Sequence, residues 1–118
     1  MSRNKYGAKR TVVDGISFDS KKESERYLEL KAMQEADEIY GLELQPQFPL
    51  HVQGSYIGKY TADFEYYDDS GRVVEDVKGM APDAAVRIRI KLVKAIYGID
   101  VRIWPERVRK ARKPRKVA

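Results

Sequence analysis

The sequence contains no cysteine and only one histidine, His51, and this limits the chemistry open to it. Without thiols the chain has no disulfide, no cysteine nucleophile and no zinc-thiolate site, and one imidazole cannot build a multi-histidine metal centre. Any metal must therefore be held by carboxylates. Carboxylate oxygens favour hard cations, so Mg²⁺ is the expected metal and Mn²⁺ an acceptable substitute.

Long hydrophobic runs are also missing. No stretch approaches the roughly 20 apolar residues of a transmembrane helix, and no apolar signal segment follows the Met-Ser-Arg-Asn-Lys start. Hydrophobic residues make up 42% of the 118 residues and charged residues 35%, enough for one hydrophobic core. We therefore expect one soluble cytoplasmic domain, with no membrane partner and no small-molecule cofactor.

The net charge of +5 is concentrated at the two ends of the chain. Residues 1–10 carry four basic residues and no acid, whereas residues 105–118 carry seven basic residues and one acid, Glu106. Basic arms favour phosphate, because each neutralised phosphate releases a counterion. We predict a domain over 1–104 with a basic N-terminal arm, and a disordered basic tail over 105–118. A tail that only aids solubility is the alternative. The tail residues predicted to contact DNA are Arg109, Lys110, Arg112 and Lys113.

The pattern of turn residues and apolar runs predicts two helices and several strands. The first helix begins after the cap Ser20 and continues to about Asp37, and the second covers 83–97 between Pro82 and Gly98. The expected strands are a hairpin over 12–18, an irregular or edge strand over 42–52, a hairpin with arms 56–67 and 72–78, and a last strand over 99–104. This order predicts a single α/β domain.

Two aspartates are expected to face each other across the second hairpin. If its turn is 68–71, Asp63 lies opposite Asp76, with side chains roughly 5 Å apart. Side chains alternate along a strand, so Lys78 shares the face of Asp76 and Glu75 points the other way. Two opposed carboxylates repel each other, which favours a bound cation between them. A register shifted by one residue would separate them.

Glu23 is expected to join this pair from the first helix. At 100° per residue it lies in one arc with Tyr27, Leu30 and Met33, the stripe that should face the sheet. An inward glutamate is costly unless it binds a cation or a proton. The alternative is that Glu23 only completes a capping box with Ser20.

These residues resemble the motif of the PD-(D/E)XK nuclease superfamily, with Asp63 on one strand, Asp76-Val77-Lys78 on the next, and Ala62 where the motif name has proline. More closely, the run from Tyr6 to Trp104 resembles a family of small, mostly bacteriophage-encoded proteins of unknown function. The matching segments are Phe18-Asp19-Ser20-Lys21-Lys22-Glu23, Leu44-Gln45-Pro46-Gln47-Phe48, Tyr60-Thr61-Ala62-Asp63-Phe64 and Glu75-Asp76-Val77-Lys78-Gly79.

The resemblance implies a restriction-endonuclease-like mixed β-sheet flanked by helices, and metal-dependent hydrolysis of phosphodiester bonds. In organisation the chain is similar to Holliday junction resolvases, which implies a homodimer acting on branched DNA, in a host cytoplasm if the chain is phage-encoded. We predict that Asp63 and Asp76 bind Mg²⁺, that Glu23 is a direct or water-mediated ligand, and that Lys78 orients water or stabilises phosphate. The alternatives are a non-catalytic DNA-binding accessory protein of replication or recombination, and a nuclease for single-stranded or duplex DNA.

The second helix supplies further candidate DNA contacts. Arg87, Lys91 and Lys94 lie in a narrow arc opposite the apolar residues, where an ordinary solvated helix face is the alternative. Arg89 falls inside the apolar arc, a position that suggests contact with a buried acid or a subunit interface. Gln45 is a candidate to support the metal ligands or to contact DNA, with an ordinary strand amide as the alternative.

Overall fold

The computed structural model describes residues 10–106, in which two helices alternate with eight strands. The elements in chain order are β1 (Thr11–Val13), β2 (Ile16–Phe18), α1 (Lys21–Glu35), β3 (Tyr40–Leu44), β4 (Gln47–Val52), β5 (Ser55–Thr61), β6 (Phe64–Asp68), β7 (Gly71–Val77), α2 (Ala84–Tyr97) and β8 (Val101–Trp104). The predicted α/β class is confirmed. Neither helix in this part of the chain is long and apolar enough to cross a membrane.

The central sheet has four strands in the order β3-β6-β7-β8. The pairs β3–β6 and β6–β7 are antiparallel, whereas β7 and β8 are parallel. Parallel strands need a crossover connection, and α2 provides it between β7 and β8. The sheet is therefore mixed, as the resemblance implied.

Two hydrophobic clusters cover the two faces of this sheet. On one face, Tyr27 and Leu30 of α1 pack with Phe64 of β6 and Val77 of β7. On the other face, Val74 of β7 packs with side chains from α2 and from the β4–β5 pair, namely Val93, Phe48, Leu50, Tyr60 and Ala62. The end of β7 thus lies between two helical layers.

Strands β3 to β6 form one long antiparallel ribbon that is interrupted in the middle. The register of the β3–β6 pair, with Leu44 opposite Phe64, continues unchanged into the β4–β5 pair, with Gln47 opposite Thr61. The single irregular strand predicted over 42–52 is therefore wrong: it is two strands, each paired with half of the predicted arm 56–67. Pro46, which lacks an N–H donor, lies at the interruption.

The helix ends follow the predicted caps. The Ser20 side chain accepts a hydrogen bond from the Glu23 N–H at 3.1 Å, and the Asp83 side chain accepts one from the Val86 N–H at 2.9 Å. Gly98 ends α2 in the left-handed conformation, with φ of 71°. α1 ends at Glu35, slightly earlier than predicted.

The apolar arc predicted for α2 is wider than the face that the fold buries. Val93 is fully buried, and Val86 and Ile90 pack against the same cluster. Ile88, however, is 59% exposed, and it lies beside Ile57 of β5, which is 58% exposed. The periodicity correctly identified the inward side, but the β4–β5 pair covers only part of it.

Candidate active site

Asp63 lies at the interruption of the long ribbon, between β5 and β6. Its backbone N–H donates to the Glu75 carbonyl at 3.1 Å, and its own carbonyl accepts from the Gln45 N–H at 2.9 Å. The Val77 N–H donates to the Asp63 carboxylate at 2.7 Å. Three backbone contacts therefore fix this residue to β7 and to the opposite side of the ribbon.

Asp76 is brought next to Asp63, as the predicted register requires. The β6–β7 ladder pairs Tyr67 with Arg72 and Phe64 with Glu75, which confirms the predicted turn at 68–71. Burial of Asp63, and then the adjacent carboxyl group of Asp76 through hydrogen bonding and charge, raise the pKa of Asp63 to about 8. The pair is thus built so that some positive charge must accompany it at neutral pH.

Tyr60 forms a hydrogen bond with the Asp76 carboxylate. Its hydroxyl donates to Asp76 Oδ2 at 2.6 Å, and the ring is buried in the cluster below α2. Burial and then the hydrogen bond to Asp76 raise the pKa of Tyr60 above its usual value. The sequence pattern did not predict this contact. The alternation of side chains along a strand places Tyr60 and Ala62 on the same face of the ribbon. The ribbon also bends towards β7, and the sequence around Tyr60 does not predict that bend.

Lys78 follows β7 and lies beside the same carboxylate. Its Nζ is 3.3 Å from Asp76 Oδ2, and its backbone N–H donates to the Trp104 carbonyl at 3.1 Å. The side chain is 32% exposed, so the ammonium group is still open to solvent. Asp63, Asp76 and Lys78 therefore come together as predicted.

Glu23 approaches from α1 but is held partly by its own helix. It lines a cavity of about 140 Å³ together with Asp63 and Gln45. Burial first, and then the charges of Asp19 and Asp76, raise the pKa of Glu23, while Lys78 lowers it. The Asp19 backbone N–H also lowers the pKa of Glu23. The Ser20 half of the capping box is formed, because the Ser20 side chain accepts from the Glu23 N–H, and Glu23 lies near the aspartates without joining their hydrogen bonds.

Some of the carboxylate oxygens at this site suit a hard divalent cation. Within residues 10–106, no three His, Cys, Asp or Glu side chains are arranged as a ready metal site. Asp63 and Asp76 do offer oxygen donors, and a cation between them would relieve the repulsion that helps to raise the pKa of Asp63. These two residues fit a metal, whereas Glu23 fits an indirect, water-mediated position better than a direct one.

Glu75 points to the opposite face of β7, as predicted, where it forms a buried ion pair. Its carboxylate is 0% exposed and accepts hydrogen bonds from Arg26 Nε at 2.5 Å and from Arg26 Nη2 at 2.9 Å. The Tyr66 hydroxyl donates to it at 2.6 Å.

The Arg26 guanidinium also lies 4.7 Å from the centre of the Trp104 ring. Arg26 lies between Leu30 and Met33 in the arc of α1 that was expected to face the sheet. A charged residue at that position was a signal for a buried partner, and the sequence prediction missed it.

The predicted DNA contacts have different surroundings. Arg87 and Lys91 are exposed on α2, while Lys94 forms a salt bridge with Asp100 at 2.7 Å. Gln45 adopts the left-handed backbone conformation, with φ of 53°, beside the cavity that holds Glu23. The tail residues predicted to bind DNA lie outside the described residues: Arg109, Lys110, Arg112 and Lys113.

The chain is thus an α/β protein in which a buried aspartate, a half-buried aspartate and a lysine meet at the end of β7. Residues 3–113 match the family described as "Protein of unknown function (DUF1064)", and the chain belongs to this family. No curated protein and no solved structure matches the chain. The family assigns no activity, so the function is argued from the site.

Proposed function

We propose that this protein is a metal-dependent DNA endonuclease of the PD-(D/E)XK type, with Mg²⁺ as the cofactor. The observation that carries the proposal is the buried Asp76 beside the half-buried Asp63, with the Lys78 ammonium 3.3 Å from Asp76. Two acids and a lysine at the end of adjacent strands are the arrangement that the resemblance leads us to expect. The family match leaves this activity to be tested.

Each residue has a separate role in the proposed reaction. Asp63 and Asp76 would hold the metal, and a bound metal would supply an activated water and stabilise charge on the phosphoryl oxygens. Tyr60 and the Val77 N–H keep the two carboxylates oriented. The Lys78 ammonium beside Asp76 stabilises a phosphate oxygen or orients the attacking water. Glu23 acts through a water on the solvent side of the pair.

The substrate that we propose is branched DNA, such as a four-way junction, cut by a homodimer in the cytoplasm. Within residues 10–106, no element is evident that would deliver several side chains into a DNA groove, which favours recognition of DNA shape. Exposed Ile57 and Ile88 offer an apolar surface at which two copies could associate.

The test is cleavage of a labelled four-way junction, a matched duplex and a matched single strand, each with Mg²⁺, Mn²⁺ or EDTA. Wild-type protein is compared with Asp76→Asn, which removes the charge and keeps the size of the side chain. The control is Asp69→Asn, an exposed acid in the turn of the same hairpin. Light scattering of the same samples gives the oligomeric state.

We expect metal-dependent cleavage by wild type and by Asp69→Asn, and a loss of at least about 100-fold in rate for Asp76→Asn. Cleavage of the junction alone supports a resolvase, and cleavage of all three substrates supports a nuclease of lower selectivity. If no substrate is cut but DNA binds with strong salt dependence, the nuclease proposal fails and a DNA-binding accessory protein takes its place.

A further inference from the structure

A second cavity opens beside the carboxylate pair, on the side that faces α2. Its volume is about 310 Å³, and it is bordered by Asp76, Tyr60 and three basic side chains, Lys59, Lys78 and Arg89. The three cations come from β5, from the end of β7 and from α2. Elements that are distant in sequence therefore bring positive charge to one concave surface.

The basic side chains of this cavity outnumber its acid. Lys78 is paired with Asp76, but Arg89 and Lys59 form no salt bridge with any acid between residues 10 and 106. Arg89 also lies in the apolar arc of α2, where a charged residue needs a reason. A guanidinium with free donors in a concave surface suits an anion with two oxygens to offer, and a phosphodiester group has that geometry.

We propose that Arg89 binds a backbone phosphate of the DNA next to the bond that is cut. The inference rests on the proposed nuclease function, because it places the DNA strand across Asp76 and Lys78. Lys59 lies on the same cavity and extends the positive surface along β5. The strand therefore runs along the side of α2 that faces the sheet, and its main contact there is Arg89 in place of the outer residues Arg87 and Lys91.

The position of Arg89 gives it access to both the solvent and the site. Its side chain borders this cavity and also the adjacent apolar pocket formed by Leu50, Ile57 and Ile88. The long side chain can lie along that apolar surface while its charged end reaches the cavity. Arg89 is exposed and lines both surfaces, so its charge can reach a phosphate in the cavity.

The experiment measures DNA binding in a protein that cannot cut. In an Asp76→Asn background, Arg89→Ala is compared with Arg87→Ala, and the matched control is Arg102→Ala, an exposed arginine on β8 outside the cavity. Fluorescence anisotropy with a labelled four-way junction and a labelled duplex is recorded over a range of salt concentrations. A thermal melt of each variant verifies folding, and Arg89→Gln serves as a second variant of the same position.

We expect Arg89→Ala and Arg89→Gln to weaken binding by about tenfold and to reduce the slope of log K against log salt by about 1, as expected for one lost phosphate contact. Arg102→Ala should bind like the parent. If Arg89→Ala binds like Arg102→Ala, or if Arg87→Ala alone weakens binding, the assignment of Arg89 is overturned.

The two proposals fail in different ways. If wild type cuts DNA but loss of the Arg89 charge changes neither binding nor cleavage, the nuclease stands and the phosphate site is refuted. If wild type cuts nothing while Arg89→Ala still lowers affinity and the salt slope, the phosphate site stands on a protein that binds DNA without cutting it.

Discussion

The substitution Arg26→Met is expected to destabilise the folded protein more at neutral pH than in mild acid. The variant keeps much of the apolar stem, but it removes the two hydrogen bonds that Arg26 donates to the fully buried Glu75. Removing one partner of a buried ion pair typically destabilises a protein by about 3–5 kcal/mol, because the other charge is left uncompensated.

Protonation of Glu75 in the variant sets an upper limit on the electrostatic part of the lost stability, because a protonated acid needs no positive partner. A glutamate with an ordinary pKa of about 4.3 can be protonated at pH 7 for about 3.7 kcal/mol, and at pH 5 for about 1 kcal/mol. In the variant, the folded state favours the protonated acid, so its stability is highest at low pH and falls as pH rises. We therefore expect a loss of about 3–4 kcal/mol at pH 7 and about 1–2 kcal/mol at pH 5.

Urea denaturation at both pH values, followed by circular dichroism and by the fluorescence of Trp104, measures these losses. Trp104 is the only tryptophan, and its ring lies 4.7 Å from the Arg26 guanidinium, so it reports on this part of the core. The control is Glu29→Gln, which removes only the half-exposed partner of Arg26 and should cost about 0.5 kcal/mol or less at either pH. A loss for Arg26→Met that is the same at pH 5 and pH 7 would show that packing dominates and would refute the electrostatic reasoning.

Two further predictions concern the carboxylate pair. Since the pKa of Asp63 is raised to about 8, the folded metal-free protein binds more protons than the unfolded chain, and its melting temperature in EDTA should fall as pH rises from about 4 to 8. Asp63→Asn should flatten this dependence, and a wild-type profile equally flat would contradict the raised value. Tyr60→Phe should increase the Mg²⁺ concentration needed for half of the maximal thermal stabilisation by about tenfold, because it removes the hydrogen bond that orients Asp76. An unchanged Mg²⁺ requirement in that variant would show that the hydroxyl does not position the ligand.

Local signals made much of the fold predictable. The caps at Ser20 and Asp83, the glycine at the end of α2 and the turn at 68–71 each act within a few residues, so the sequence pattern identified them correctly. The turn also fixed the register, and with it the meeting of Asp63 and Asp76. Alternation along β7 was enough to place Glu75 on the opposite face.

The remaining features depend on contacts between distant segments. The pairing of β3 and β4 with the far arm of the ribbon brings Tyr60 to Asp76, and nothing in the local pattern around Tyr60 announces this. The ion pair of Arg26 and Glu75 joins residues 49 positions apart, so no local pattern pairs the two side chains. The outward position of Ile88 depends on how far the β4–β5 pair extends over α2.

The long ribbon separates its tip from the carboxylate pair, and this suits the protein to engineering. The turn at Gln53 and Gly54 is exposed, whereas Asp63 is fixed by backbone contacts at the interruption of the same ribbon. From Gln47 to Leu50 the two arms pair one to one, and the register shifts only beyond Leu50, so adding the same number of residues to each arm near the tip lengthens the ribbon without moving Asp63. The tip is therefore a natural place to attach a fluorophore, an affinity tag or a second DNA-binding module.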